Sequence, residues 1–206
     1  MLTIILFSLL VLISYILGCF STAKLLAKSY RNMNIYKIGT GHPDTLNIFN
    51  NVDKFLGVIT GVVDIGKVFF YLAFLKVILF SDNFIKLLPE LSEISSQNHL
   101  LIIGFAMIIG HCFPITHKFK GGRGIFTYIG FLLFFAPWST MIVCFLAAIL
   151  VIFFNQIRFS QYMIVMLTPF INFFFSGGKE FLAKMFIAAL LMGVMNYLVS
   201  KKLGEI

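Results

Sequence analysis

The sequence predicts an all-α integral membrane protein with about seven transmembrane helices, its N-terminus outside and its C-terminus cytoplasmic. Three observations predict this. Of 206 residues, 60% are hydrophobic and only 12% are charged, against about 45–50% and about 25% in a soluble domain. The apolar residues fall in long runs, and a run of ~18 or more with few charges is the length that crosses a bilayer. The connections between runs alternate between cationic and non-cationic. With no internal repeat, low-complexity tract or linker, residues 1–206 read as a single polytopic domain.

The first apolar run covers about residues 2–26; it has no basic residue before Lys24 and no small-residue cleavage site, so it reads as a span rather than a cleavable signal. A polar stretch, 28–54, is too charged for hydrocarbon. The second run covers about 55–80 and the third about 100–114, with an acidic loop, 81–98, between them. The basic turn 117–124 follows. Residues 125–154 are too long for one crossing, and Pro137-Trp138 divides them into the fourth and fifth runs. The sixth and seventh cover about 162–175 and 181–199.

Loop charge tests the count. Lys28, Arg31, Lys37 and Lys54 lie in the first connection, Lys118, Lys120 and Arg123 in the third, Arg158 in the fifth, and Lys201 and Lys202 in the tail. The second has Asp82, Glu90 and Glu93 against Lys86, the fourth has no charge, and the sixth has Lys179 beside Glu180. The positive-inside rule then puts the odd connections and the tail in the cytoplasm. Seven crossings satisfy this parity; six or eight do not. The net charge of +8 belongs to those helix ends and to an anionic substrate; no solvated basic domain remains to bind nucleic acid. Cys19, Cys112 and Cys144 are odd in number, lack metal-ligand spacing and read as small apolar fillers.

Lys120-Gly121-Gly122-Arg123-Gly124 is the most informative local motif. Its glycines permit a tight turn whose amides can form an anion nest, beside the charges of Lys120 and Arg123 and the N-terminus of a helix opening near Ile125. The alternative is a tight cytoplasmic turn whose cations obey topology. Gly39-Thr40-Gly41-His42-Pro43-Asp44, with Asn47 soon after, is a second glycine-bearing loop on the same face. His42 there could move a proton near neutral pH, while Asp44 reads as the N-cap of a short helix. Asp64 and Lys67 share one helix face inside an apolar run; at membrane depth they form a structural ion pair or line a cavity. Gly57 and Gly61 have the G-x-x-x-G spacing of a close helix crossing. His111, in Gly110-His111-Cys112-Phe113-Pro114, reads from its neighbours as a hydrogen-bonded structural group, and the four histidines show no metal-binding spacing.

Gly110-His111-x-Phe113-Pro114, five residues, then Lys120-Gly121-Gly122-Arg123-Gly124 resembles the G-H-x-F-P…K-G-G-K-G signature of the PlsY family, bacterial acyl-phosphate:glycerol-3-phosphate acyltransferases with seven helices and an external N-terminus. Gly18, Gly39-Thr40-Gly41…Thr45-Leu46-Asn47 and Asp64-x-x-Lys67 extend the resemblance over most of the chain to about residue 130. It implies transfer of a fatty acyl group from acyl phosphate to glycerol 3-phosphate, or to a similar phosphorylated acceptor, giving lysophosphatidic acid in a bacterial inner membrane without metal, nucleotide or other cofactor. It implies Thr40 and His111 as catalytic residues, and Gly39, Gly41, Asn47, Asp64, Lys67, Lys120, Gly121, Gly122, Arg123 and Gly124 as substrate-binding; His42, a departure from the family pattern, joins the catalytic set as a group that takes over phosphate binding or proton transfer. The departures are specific. Thr40 replaces a serine, His42 an asparagine, Asp44 a glycine and Arg123 a lysine; Asn50 stands where the family has an arginine implicated in phosphate binding. Arg158-Phe159-Ser160-Gln161-Tyr162 keeps part of an R-Y-x-S-L motif, and the family's C-terminal Arg-His has no counterpart, though Asn196 aligns with a nearby asparagine. Such changes also fit an acyltransferase with a different acceptor, or a non-catalytic lipid-phosphate binding protein or transporter.

Overall fold

The computed structural model describes residues 1–176 and 178–202, and they contain helices and turns but no strand. In chain order the helices are α1 (Leu2–Gly18), α2 (Thr22–Arg31), α3 (Thr45–Asn51), α4 (Lys54–Leu79), α5 (Asp82–Leu87), α6 (Leu91–Ile94), α7 (Gln97–Cys112), α8 (Ile125–Phe135), α9 (Pro137–Phe154), α10 (Ile157–Ser176) and α11 (Lys179–Lys202). A helix occupies each of the seven apolar runs. Among the described residues, four stretches are by length and composition sufficient to cross a membrane: Leu2–Arg31, Gln97–His117, Pro137–Phe154 and Lys179–Lys202. The 11 residues of α8 rise only ~16 Å, about half of a ~30 Å hydrocarbon core.

The break between α8 and α9 falls where Pro137 predicts it, at the first turn of α9, where a missing N–H is harmless. One expectation needs correcting. The first run is not one helix: α1 stops at Gly18, and Ser21 adopts an extended backbone and accepts a hydrogen bond from Lys24 N at 3.2 Å, capping a separate α2. The acidic connection contains two short helices, α5 and α6. Left-handed asparagines, Asn32 and Asn155, end α2 and α9.

Small residues set the helix crossings, as expected where lipid removes the hydrophobic drive for association and close packing must hold helices together. Gly18 on α1 and Gly110 on α7 face each other: a Cβ on either would overlap the other helix's backbone, at Met107 O or Tyr15 O. Gly130 brings α8 against the Ile65 carbonyl of α4 in the same way. The expected Gly57–Gly61 spacing is used, with Gly57 against Phe49 of α3 and Gly61 against Phe126 and Thr45. A core of Leu72, Ile103, Tyr128, Phe131, Leu132 and Met192 joins α4, α7, α8 and α11. A smaller cluster, Ala23, Ala27, Ile35, Ile48 and Leu56, anchors α2 and α3 beside the start of α4. The outward faces carry exposed Ile5, Phe70, Phe74, Phe145, Phe153 and Leu190, apolar side chains that bilayer lipid would solvate.

Candidate active site

The glycine loop is built against the end of α7. Tyr15 Oη donates to Phe113 O at 2.8 Å and accepts from Ile115 N at 3.1 Å, fixing the turn after His111. Gly121 then passes so close that a Cβ would overlap the carbonyls of His111 and Cys112, and a Cβ on Gly122 would sit 2.6 Å from His111 Nε2. Gly124, at φ 77, precedes the first turn of α8. The glycines are therefore needed for close approach, but partly to protein. The Gly122 amide, expected to face an anion, donates to His111 O at 3.2 Å, because closing the loop onto α7 turns that N–H inward. Lys120 is exposed, and its carbonyl accepts from Tyr36 Oη at 3.3 Å.

The second loop is tied together by Asn47, only 1% exposed. Its Nδ2 donates to Ile38 O (3.0 Å) and His42 O (2.8 Å), while its Oδ1 accepts from Thr40 N (3.3 Å) and Asn51 Nδ2 (2.9 Å). The side chain expected to meet substrate is thus engaged in holding the loop. Gly39 and Gly41 take positive φ, 53° and 72°, within it. Thr40 is exposed, and the His42 side chain is wholly buried.

A charged cluster joins α4 to α7. Asp64, 1% exposed, lies 2.9 Å from Lys67 Nζ and accepts from Thr22 Oγ1 at 3.3 Å. Lys67 Nζ also donates to Phe20 O (3.3 Å), in the α1–α2 break, and lies 3.0 Å from His111 Nδ1. An ammonium only donates, so Nδ1 accepts and the imidazole proton resides on Nε2. The sequence pair Asp64–Lys67 therefore extends into a relay that orients His111.

A second buried pair closes the site from the loops. Arg123 Nε lies 2.7 Å from Asp44 Oδ2, with both residues 7% exposed. Asp44 Oδ1 also accepts from Asn47 N at 2.9 Å, so the predicted N-cap of α3 holds.

Three cavities meet here. An inner polar one, about 10 Å³ and hence the size of one water, is walled by Asp44, Asp64, His111, Arg123 and Gln161. An outer polar one, about 90 Å³, lies between Arg123, Arg158, Gln161, Asn196 and Ser200. The third is an apolar groove of about 550 Å³ along α4, α8, α9 and α10, bordered by Val62, Ile65, Phe126, Ala148 and Ile164. The groove shares Thr45, Leu46, Ile125, Phe126 and Gln161 with the inner cavity. Asn196 Nδ2 approaches Arg123 O at 3.5 Å. Gln161 borders all three spaces. The sequence reading left it out of the site: it stands where the R-Y-x-S-L pattern has serine, and that departure was the available signal.

The sequence model described as glycerol-3-phosphate acyltransferase matches residues 8–203. The chain is 27% identical over 182 residues to the glycerol-3-phosphate acyltransferase of Endomicrobium trichonymphae, covering 88% of this chain and 84% of that protein. It is 33% identical over 156 residues to the glycerol-3-phosphate acyltransferase of Streptococcus thermophilus (strain ATCC BAA-491 / LMD-9), covering 74% of this chain but 65% of the relative. In fold it is similar to PlsY, an integral membrane glycerol 3-phosphate acyltransferase, in the crystal structure of its glycerol 3-phosphate form: TM-score 0.74, 18% identity, 95% of this chain and 88% of that one. The structure of the PlsY lysophosphatidic acid form gives TM-score 0.70 and 20% identity over 92% and 87% of the two chains.

Proposed function

The chain belongs to the glycerol-3-phosphate acyltransferase family, and from that membership we propose how its three cavities divide one acyl transfer among them. The chain is a membrane acyltransferase that acylates glycerol 3-phosphate to lysophosphatidic acid. The donor is acyl phosphate. The observation that carries this reading is the continuity of an apolar groove with a charged cavity, because an acyl phosphate is itself a hydrocarbon chain ending in a reactive carbonyl and a phosphate. The chain lies in the groove and places the carbonyl at its inner end, beside Gln161 and the first turn of α8, whose N-terminal dipole favours developing negative charge.

The outer cavity takes the acceptor phosphate. Among the described residues its lining contains two guanidinium groups, Arg123 and Arg158, and no carboxylate, and guanidinium forks suit phosphate oxygens. The acceptor hydroxyl then points inward and attacks the acyl carbonyl carbon. An ester C–O bond forms, the bond from that carbon to the phosphate oxygen breaks, and inorganic phosphate departs, taking up the hydroxyl proton. His111, with its proton on Nε2, donates to the oxyanion or the leaving phosphate, and Lys67 and Asp64 hold it in that tautomer. Thr40 at the loop surface and His42 behind it complete the proposed catalytic set. Gly39, Gly41 and Asn47 shape the loop; Lys120 brings its cation to the phosphates, while Gly121, Gly122 and Gly124 let the backbone close onto α7 and open α8. Seven crossings of a bacterial inner membrane, with the N-terminus outside and the site cytoplasmic, agree with the loop charges and with a single domain.

Purified chain reconstituted in lipid tests the reading. With palmitoyl phosphate and labelled glycerol 3-phosphate, labelled lysophosphatidic acid and an equal amount of inorganic phosphate should appear. Absence of transfer to glycerol 3-phosphate, with the protein folded, overturns it.

A further inference from the structure

We infer that Asp44 is a positioning residue for Arg123, and that the two act as one unit which makes acceptor recognition depend on the shape of the guanidinium rather than on a net positive charge. The inference rests on the function proposed above and concerns two positions at which this chain departs together from the family signature it resembles. There a glycine and a lysine stand at positions 44 and 123; here an aspartate and an arginine do.

The geometry links the changes. Asp44 Oδ2 holds Arg123 Nε at 2.7 Å in a nearly buried pair. Arg123 is also the wall between the inner and outer cavities, and Asp44 lines only the inner one of these two. The carboxylate therefore fixes the guanidinium from the inner side while Arg123 borders the outer cavity together with Arg158. A lysine would present a mobile point charge at this place. An arginine clamped through Nε presents a plane in one orientation, which favours an acceptor whose phosphate oxygens meet that plane. It also explains how a carboxylate is tolerated in a site for anions: Asp44 lies on the side of Arg123 away from the acceptor phosphate, and its charge is matched by its partner. An aspartate at position 44 without the arginine would repel the substrate, and an arginine without the aspartate would lose its orientation.

Asp44 also caps α3 through Oδ1, so the test separates the two tasks. Asp44→Asn keeps a capping oxygen but removes the charge facing Arg123. Asp44→Gly with Arg123→Lys installs the signature pair. For wild type, Asp44→Asn, Asp44→Gly, Arg123→Lys and the double variant, kcat and KM for glycerol 3-phosphate are measured in lipid, and the affinity for glycerol 3-phosphate by calorimetry. Asp44→Asn should raise acceptor KM at least about tenfold, the low end of what breaking a desolvated charge pair costs, with little change in kcat, while the uncompensated Arg123 charge also lowers the thermal midpoint. Arg123→Lys alone should weaken the acceptor more than the double variant does. Additive effects of Asp44→Gly and Arg123→Lys in the cycle would overturn the inference, as would an unchanged KM in Asp44→Asn, since either leaves Asp44 as a cap alone. The calorimetric cycle reads the same coupling without turnover, so a wild type that binds but does not transfer acyl groups sinks the proposed reaction and leaves the pair to be judged on binding. A wild type that does not bind glycerol 3-phosphate overturns the inference as well.

Discussion

Gly122 shows how much a single hydrogen can decide. A Cβ there would stand 2.6 Å from His111 Nε2 and 3.0 Å from Pro43 O, so it would push apart the two loops that meet at the site. Gly122→Ala should insert and accumulate normally yet lose at least roughly tenfold in kcat, because a catalytic group displaced by about 1 Å loses on that scale or more. Near-normal acyl transfer by the variant would detach this loop from the chemistry. Lys67 sets a different kind of limit. Removing it leaves the Asp64 carboxylate buried beside Thr22 without its cation. Lys67→Met should destabilise the protein by roughly 3–5 kcal/mol, seen as a fall in thermal midpoint in detergent. Asp64→Asn with Lys67→Met should recover much of that stability while leaving activity low, because His111 still lacks its orienting ammonium. The residues of the glycine loop were visible in the sequence because their spacing is local. Their direction was not, since nothing in Lys120–Gly124 says that the Gly122 amide turns toward His111 O, and nothing in the Asp44 neighbourhood says that its partner is 79 residues away.

At the scale of elements, the apolar groove is a ruler. It runs between α4 and α8 on one side and α9 and α10 on the other, with Ala147 and Ala148 on the α9 wall. Ala148→Phe should shorten the space available to the acyl chain. Each methylene excluded from apolar surroundings costs about 0.8 kcal/mol, roughly a fourfold loss of affinity. The variant should therefore discriminate against palmitoyl phosphate and use a shorter acyl phosphate with nearly wild-type kcat/KM. Equal losses for all chain lengths would place the acyl chain elsewhere. Helix starts give another measurable element. Asp53 caps α4, accepting from Phe55 N at 2.9 Å and Leu56 N at 3.1 Å, and pairs with Arg31 of α2. The guanidinium, with those amides, holds the Asp53 carboxyl below its ordinary range. Stabilisation from this lowered value is present above the unfolded carboxylate range and fades as pH falls through the folded one. Asp53→Ala should lower the thermal midpoint near neutral pH more than Asp53→Asn, which keeps the cap, and the gap between wild type and Asp53→Asn should close in acid. The helices themselves were legible because long apolar runs announce them, and Pro137 announces the break between α8 and α9. The interruption between α1 and α2 was hidden, since Cys19, Phe20 and Ser21 are compatible with a continuing apolar helix until packing at Gly18 and the Ser21 cap redirect the chain.

The molecule as a whole is polarised. The side chains that wall the two polar cavities come from the start of α3, from α4 at Asp64, from the end of α7, the start of α8, the start of α10 and the end of α11. These are the ends that connect through odd-numbered loops or lead to the tail, the same ends at which Lys and Arg accumulate. At the other end, the starts of α7 and α11 meet through Lys184, which bonds Asn98 Oδ1 at 2.8 Å and pairs with Glu180. Charge alternation along the sequence and convergence of cavity walls in space are independent observations, one set by insertion and the other by packing, and they select the same face. The site was legible only as far as this: the sequence told which loops lie together, while the cavities arise from which helices cross, a matter of contacts such as Gly130 against Ile65 that no local pattern reveals. The proposed cytoplasmic placement of that face rests on the retention of cationic loops inside and on glycerol 3-phosphate being a charged metabolite that does not cross a bilayer unaided. Asn98 lies in the first turn of α7 and Thr116 just beyond its end; the 16 residues of α7 rise ~24 Å, so the two positions report on opposite surfaces. In cells expressing a chain whose own three cysteines are replaced by alanine, a cysteine at Asn98 should react with a membrane-impermeant maleimide added outside. A cysteine at Thr116, exposed beside His117, should react only after permeabilisation. If Thr116 is labelled from outside and Asn98 is not, the site faces away from the glycerol 3-phosphate pool, and the orientation proposed for the enzyme is inverted.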